Sequence, residues 1–284
     1  MHRPLVRFGI ALLFCTVAAA QPTVRMAVVA LTGRWKFHIG DDPRWADPNF
    51  DDSNWENVNL TPKGATDYMN GLSEHRPGWT ARGYPGYSGC AWYRLKVRIE
   101  QTNAPLSLLM PLEVDDGYQV FANGREIGQF GDLTPRRPVL YFTNAEWFRL
   151  PATSGETKEL AIRLYMDPWM LMQPFLSGMH GPPRIGATGV IAAFGNLARQ
   201  RFVMLAAAWA LLSIVCFGFA FAFFAIYWLD RSETVYLWFG FAYLGLAVSA
   251  VDIFPGVAVP NWPTESELIF HVLVACWVGG LFTA

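Results

Sequence analysis

The sequence predicts an antiparallel all-β sandwich followed by an α-helical transmembrane region. Three observations carry this. Tyr93, Leu95, Val97 and Ile99 alternate with Arg94, Lys96 and Arg98, giving one apolar and one cationic face. Asn123-Gly124 is a type I′ hairpin signal between two strand-like runs. The run Phe202 to Leu229 carries neither charge nor proline; as a helix, its roughly 28 residues would extend about 42 Å, and a bilayer core needs about 20 residues.

The whole-chain values blend two regions. Net charge is −1 and 52% of the 284 residues are hydrophobic. Up to about Gln200 the chain is mixed and rich in Trp, Pro and Gly; from Phe202 onward it is almost uncharged. No dense basic patch is present, so nucleic-acid binding is not expected. Of four cysteines, only Cys90 belongs to the expected soluble part, so no internal disulfide is predicted there. No Cys/His spacing matches a zinc site.

Met1 to Ala20 has the anatomy of a secretory signal. Arg3 and Arg7 supply the positive region, Phe8 to Val17 the apolar region, and Ala18-Ala19-Ala20 the small residues before Gln21. An uncleaved anchor is the alternative; bulky Phe14 before Cys15 argues against a lipoprotein. Residues 21–189 are then expected outside the cytoplasm, as a sandwich of short strands. Those strands are Trp92 to Ile99, Leu106 to Leu112, Gly117 to the Asn123-Gly124 turn with a return over Arg125 to Gly128, Val139 to Phe142, Trp147 to Leu150, and Leu160 to Tyr165. Residues 190–201 read as a linker with helical character. The apolar segments 202–229, 234–253 and 268–284 read as membrane helices, the last cut short as in a fragment of a longer chain. Arg231 in the first connection, against Asp252, Glu265 and Glu267 in the second, places the first connection in the cytoplasm by the positive-inside rule.

Gly33-Arg-Trp35-Lys-Phe37 with Gly40 to Trp55, Ala91-Trp92-Tyr93-Arg94 and Val114 to Gly128 resemble galactose-binding-like jelly rolls, including the sugar-binding domain of family 2 glycoside hydrolases. Phe223-Phe224, Tyr227, Arg231, Glu233, Tyr236-Leu237 and Phe239-Gly240 are similar to the start of bacterial seven-transmembrane receptors with diverse intracellular signalling modules. Together these resemblances imply an all-β jelly-roll sandwich, galactose-binding-like, on a helical transmembrane region. They imply a bacterial inner-membrane, multi-pass protein with its N-terminal domain in the periplasm. The expected function is the input half of a signalling receptor that senses a ligand, a carbohydrate being the candidate, and relays it to a cytoplasmic output module. The alternatives are a membrane-anchored module that binds carbohydrate or a periplasmic protein, and a glycoside hydrolase-related protein.

Candidate sites carry two readings each. Asp41, Asp42, Asp47, Asp51 and Asp52 form an oxygen-rich stretch of the kind that holds a structural calcium, which related jelly rolls often contain; the other reading is Asx turns and caps. In Gly71 to Tyr93, Trp79, Tyr84, Tyr87 and Trp92 with Arg82 offer flat faces and a charged donor for a sugar; the other reading is that the rings pack. Glu113, Asp115 and Asp116 cluster beside a turn and are read as shaping it, so no catalytic residues are assigned. Trp209, Trp228, Tyr236 and Trp238 read as interfacial or packing aromatics, Gly240 and Gly245 as points of close helix approach, and His271 as an intramembrane or snorkelling histidine.

Overall fold

A computed structural model describes residues 28–60, 79, 83–84, 86–99, 104–111, 114, 117–134, 138–141, 146–151, 157–166, 178–179, 181–251 and 263. The segment predicted as a signal, the third apolar segment with His271, and Glu113, Asp115 and Asp116 lie outside these residues.

The strands are β1 Val28–Ala30, β2 Arg34–Ile39, β3 Glu56–Asn59, β4 Gly89–Arg98, β5 Leu106–Leu109, β6 Gly117–Ala122, β7 Arg125–Phe130, β8 Trp147–Arg149, β9 Thr157–Met166 and β10 Arg184–Ala187. They form two antiparallel sheets, one in the order β1-β10-β5-β8 and the other β3-β2-β4-β9-β6-β7. The axis of the larger sheet is the ten-residue pairing of β4 with β9, from Gly89 opposite Met166 to Arg98 opposite Thr157. Its register follows the predicted alternation, because a slip by one residue would bring the charged face of β4 inside.

Between the sheets lies the core. Trp35, Phe37, Tyr93, Val120, Leu160, Ile162 and Leu164 from the larger sheet meet Leu108, Met110 and Ile185 from the smaller one. Trp35 satisfies its buried indole by donating Nε1–H to the Leu31 carbonyl at 2.9 Å, so its ring is buried without an orphaned donor. At the predicted hairpin, Asn123 and Gly124 both have positive φ, 49° and 78°, as a type I′ turn requires.

Some expected strands change. The β5 alternation holds in that Leu108 and Met110 enter the core while Leu109 faces the opposite side, but the strand ends at Leu109. Val139 to Phe142 forms no ladder among the described residues; Val139 and Tyr141 make isolated bridges, to Asp132 and Pro263. The return strand after the hairpin continues past Gly128 to Phe130.

The first helix, α1, is unbroken over Thr188–Leu229, 42 residues, so residues 190–201 continue the helix. It is long and apolar enough to cross a membrane. After a turn fixed by Asp230, whose Oδ1 accepts from the Ser232 amide at 3.0 Å and hydroxyl at 2.6 Å, α2 runs over Val235–Val251. The helices are antiparallel. Phe223 stacks against Tyr236, Phe239 and Tyr243, and further along Ser213 donates to the Ala247 carbonyl at 2.7 Å. A Cβ on Gly240 would stand 2.6 Å from the Phe224 ring, so this glycine does permit the close approach expected of it. The second helix therefore runs back toward the sandwich, where Pro263 bridges Tyr141.

Candidate functional site

Alternation puts Trp92 and Arg94 of β4, Ala161 and Arg163 of β9, and Gln119 and Phe121 of β6 on the outer face of the larger sheet. Residues 40–55 fold over part of that face. Gly40 begins the loop at φ +111°, and a Cβ there would be 3.2 Å from Trp45, a position suited only to glycine. Asp42 caps the 3₁₀ turn Pro43–Ala46 by accepting from the Arg44 amide at 2.9 Å. Asp47 and Asp51 close Asx turns onto the amides of Asn49 and Ser53, at 2.8 and 3.0 Å.

The result is a second apolar cluster outside the sandwich: Trp45, Ala46, Phe50, Trp55, Trp92, Phe121 and Ala161. Arg94 runs beneath it, its guanidinium 5.5 Å from the centre of the Phe50 ring and 5.9 Å from that of Trp55.

This arrangement corrects the calcium set. The five aspartates do not converge: Asp41 pairs with Arg163, Asp42 with Arg44 and Asp52 with Arg94, while Asp47 and Asp51 serve turns. Among the described residues no group of three or more His, Cys, Asp or Glu side chains is placed to hold a metal. Each carboxylate is drawn to the donor nearest along its own turn or across the sheet. The hydrogen bonds to Arg44 and Ser53 hold the Asp42 and Asp51 carboxyls below the usual carboxylate range.

The aromatic set is corrected in part. Trp79 is 1% exposed; Phe37 stacks on it at 6.3 Å and Tyr87 meets it edge-on at 6.1 Å. Trp92 is also 1% exposed, with Phe121 stacked at 5.5 Å and Trp45 edge-on at 6.2 Å. Both indoles are core residues, because burying such large rings outweighs leaving a face free. Tyr84 and Tyr87 are half-buried. The Tyr84 hydroxyl donates to Glu56. The Tyr87 hydroxyl accepts from the Gly40 amide at 2.9 Å and donates to the Cys90 carbonyl at 2.5 Å. Arg82 lies outside the described residues.

Near Tyr87, the structure assembles a polar group that no local motif announces. Arg163 donates from Nε to Asp41 Oδ1 at 2.7 Å, from Nη2 to Asp41 Oδ2 at 2.5 Å and from Nη1 to Gln119 Oε1 at 2.7 Å. Gln119 passes the network on to Glu126 and Gln129 at 3.3 and 3.4 Å. Asp41 and Arg163 are 122 residues apart; the one sequence signal was a charged residue inside the apolar run Leu160 to Tyr165. Cys90 lies beside Arg163, and burial pushes its thiol up to about 11, so it is a protonated, unreactive thiol at neutral pH.

A third region joins sandwich and helix. The Thr188 hydroxyl donates to the Pro105 carbonyl at 3.0 Å and lies 2.9 Å from the Ser107 hydroxyl. One turn on, Ile191 is fully buried against Leu109, with Val28, Trp147 and Ala198 around them. Gly195 admits the Trp147 ring, to which a Cβ would come within 2.7 Å, and the Arg184 guanidinium sits 5.9 Å from the centre of the Phe194 ring. The first turns of α1 are thus packed on the smaller sheet.

No family model matches the chain. It is 32% identical over 113 residues to Beta-galactosidase BoGH2A of Bacteroides ovatus, a match covering 36% of this chain and 13% of that enzyme. Among solved structures it is similar to a calcium-binding mutant of Bacteroides uniformis beta-glucuronidase 2, at 22% identity and TM-score 0.39 over 56% of this chain and 18% of the other. It is also similar to a glycosyl hydrolase family 2 member from Bacteroides cellulosilyticus, at 16% identity and TM-score 0.41 over 57% and 21%. A Faecalibacterium prausnitzii beta-glucuronidase matches at 16% identity and TM-score 0.36 over 60% and 33%. The chain therefore spans only a small part of the proteins it is similar to.

Proposed function

We propose that this chain is a non-catalytic binding module of the kind found beside family 2 glycosidase domains, anchored by its helices in a bacterial inner membrane with the sandwich in the periplasm, and that its ligand is a carbohydrate. The observation that carries this is the 32% identity to a beta-galactosidase, which brings a carbohydrate-related sequence to a chain covering only 13% of that enzyme. Of the described carboxylates on the outer face, Asp41, Asp52 and Glu159 are each paired with an arginine and Glu126 accepts from Gln119, which supports a binding rather than an acid–base role for this face. The ligand surface we assign is the end of the larger sheet where Tyr87 meets Gly40 and Asp41, with Arg163 and Gln119 beside it and Tyr84 flanking.

The test is a glycan array with the full chain in detergent. Saccharide binding that falls at least about tenfold in Arg163→Ala, with the fold retained, is the expected result. Absence of binding across a broad panel by the folded protein sinks the carbohydrate reading; capture of a periplasmic protein by the same surface replaces it.

A second reading rests on a separate observation. Because α1 is unbroken from its seat on β5, β8 and β10 into the apolar run, a tilt of the sandwich is carried along a rigid rod. This favours the input half of a signalling receptor, in which ligand shifts the helices by its differential affinity for two arrangements. Nitroxides at Ser53 and Ser232, in a background with the native cysteines replaced, read the coupling. Two glycines inserted after Ala198 should broaden the distance distribution; an unchanged distribution removes the rod.

A further inference from the structure

Four oxygens converge beneath the loop that covers the outer face. They are the main-chain carbonyls of Trp45 and Asp47, Asp52 Oδ2 and Glu159 Oε1. Two carbonyls and two carboxylates from a loop and a facing strand are the donor types a hard divalent cation takes. At their centre is the Arg94 guanidinium. Its Nε is 2.9 Å from Asp52 and 3.3 Å from Glu159, its Nη1 donates to Asp47 O at 3.0 Å and also to Trp45 O, and its side chain is wholly buried.

The carboxylate of Glu159 makes this more than a surface ion pair. Its side chain is 3% exposed, and neither oxygen accepts a hydrogen bond among the described residues. A buried carboxylate in that state is held by charge alone. The cage carries two acids against one guanidinium, with Lys96, opposite Glu159 across β4 and β9, as a further cation outside it.

We propose that this site is a cation cage whose occupant is the chain's own Arg94, so that the 42–55 loop is clamped to the sheet without a divalent ion. Arg94 takes the central place because its planar fork reaches the loop carbonyls and the Asp52 carboxylate at once, and because a guanidinium stays charged at every physiological pH. Shortening it leaves the buried Glu159 and the partly buried Asp52 facing two carbonyls, a set that a calcium ion completes.

Thermal melts of the full chain in detergent, in EDTA and in millimolar calcium chloride, test this. The wild-type midpoint should be the same in both. Arg94→Ala should melt roughly 10 °C lower in EDTA, with calcium recovering most of the loss, and Arg94→Ala combined with Glu159→Gln should lose that recovery. Calcium raising the wild type as much as the variant, or a folded Arg94→Ala that gains nothing, overturns the proposal. If Arg94→Ala folds in neither condition, Arg94→Lys is set against Arg94→Gln. The lysine variant, still cationic, should melt within a few degrees of wild type and well above the glutamine variant; equal midpoints overturn the proposal.

Discussion

The sandwich and the helical hairpin apply opposite rules to the same residue types. In the sandwich, Trp35, Trp92, Leu160 and Ile162 are at most 1% exposed. In the helices, Leu211, Ile214, Phe221, Trp228 and Leu229 are 64 to 81% exposed. Large apolar side chains exposed in such contiguity mark a surface built to meet a membrane or another protein surface. Within α1 the rule changes along a single helix, from Ile191 buried on the sheet to Ile214 facing outward. The lesson is that α1 belongs to both regions, its first turns by packing and the rest by composition.

Removing one aromatic ring from each region is the strongest way to break this contrast. Trp92→Ala should cost about 3–5 kcal/mol, whereas Phe221→Ala, one of the most exposed rings, should cost less than about 0.5 kcal/mol. Denaturant unfolding of the full chain in detergent, followed by near-UV circular dichroism, measures both; equal costs would mean that Phe221 is covered by protein. Next in size is the junction. Gly195→Leu forces a side chain into Trp147 and should cost about 1–3 kcal/mol by overpacking, with faster hydrogen exchange confined to β5, β8 and the start of α1. The smallest effect is expected between the helices. Ser213→Ala, which removes the hydroxyl donated to Ala247, should cost about 0.6 kcal/mol in the same unfolding measurement.

The pH response sharpens the contrast from the soluble side. Burial raises the Glu159 carboxyl above its ordinary 4.5, with Arg94 opposing. The folded state therefore binds that proton more tightly than the unfolded chain. The stabilising contribution is fully present below 4.5 and is lost as pH rises through the raised value. Glu159→Gln, permanently neutral, lacks this term, so its stability relative to wild type should fall as pH drops from neutral toward 4.5. Melts of both proteins across that range measure the gap; a constant gap contradicts the buried charge.

Local signals made much of the fold legible. The β4 alternation, the Asn123-Gly124 hairpin and the β9 apolar pattern each specify their strand through nearest neighbours. Strands β1, β3 and β10, at three or four residues each, were not legible, since runs that short become strands only through partners distant in sequence: β1 pairs β10, and β10 pairs β5. The calcium reading of the acidic loop and the stacking reading of Trp79 and Trp92 treated composition as arrangement. Trp79 and Trp92 have the composition of a stacking platform, yet both are consumed by packing, and the five aspartates divide among three arginines and two turns.

The sequence by itself determined the division of this protein into a β-rich part and an apolar helical part, because period-2 alternation and an uncharged run of membrane length are properties of neighbouring residues. It also determined the hairpin turn, which rests on two adjacent side chains. Only the tertiary structure decided that Asp41 meets Arg163 and Gln119, that Arg94 sits in a cage of oxygens from residues 45 to 159, and that the helix begins on the sheet itself. Those contacts join residues tens to more than a hundred positions apart. Their energies depend on burial, and burial exists only once the sheets have closed.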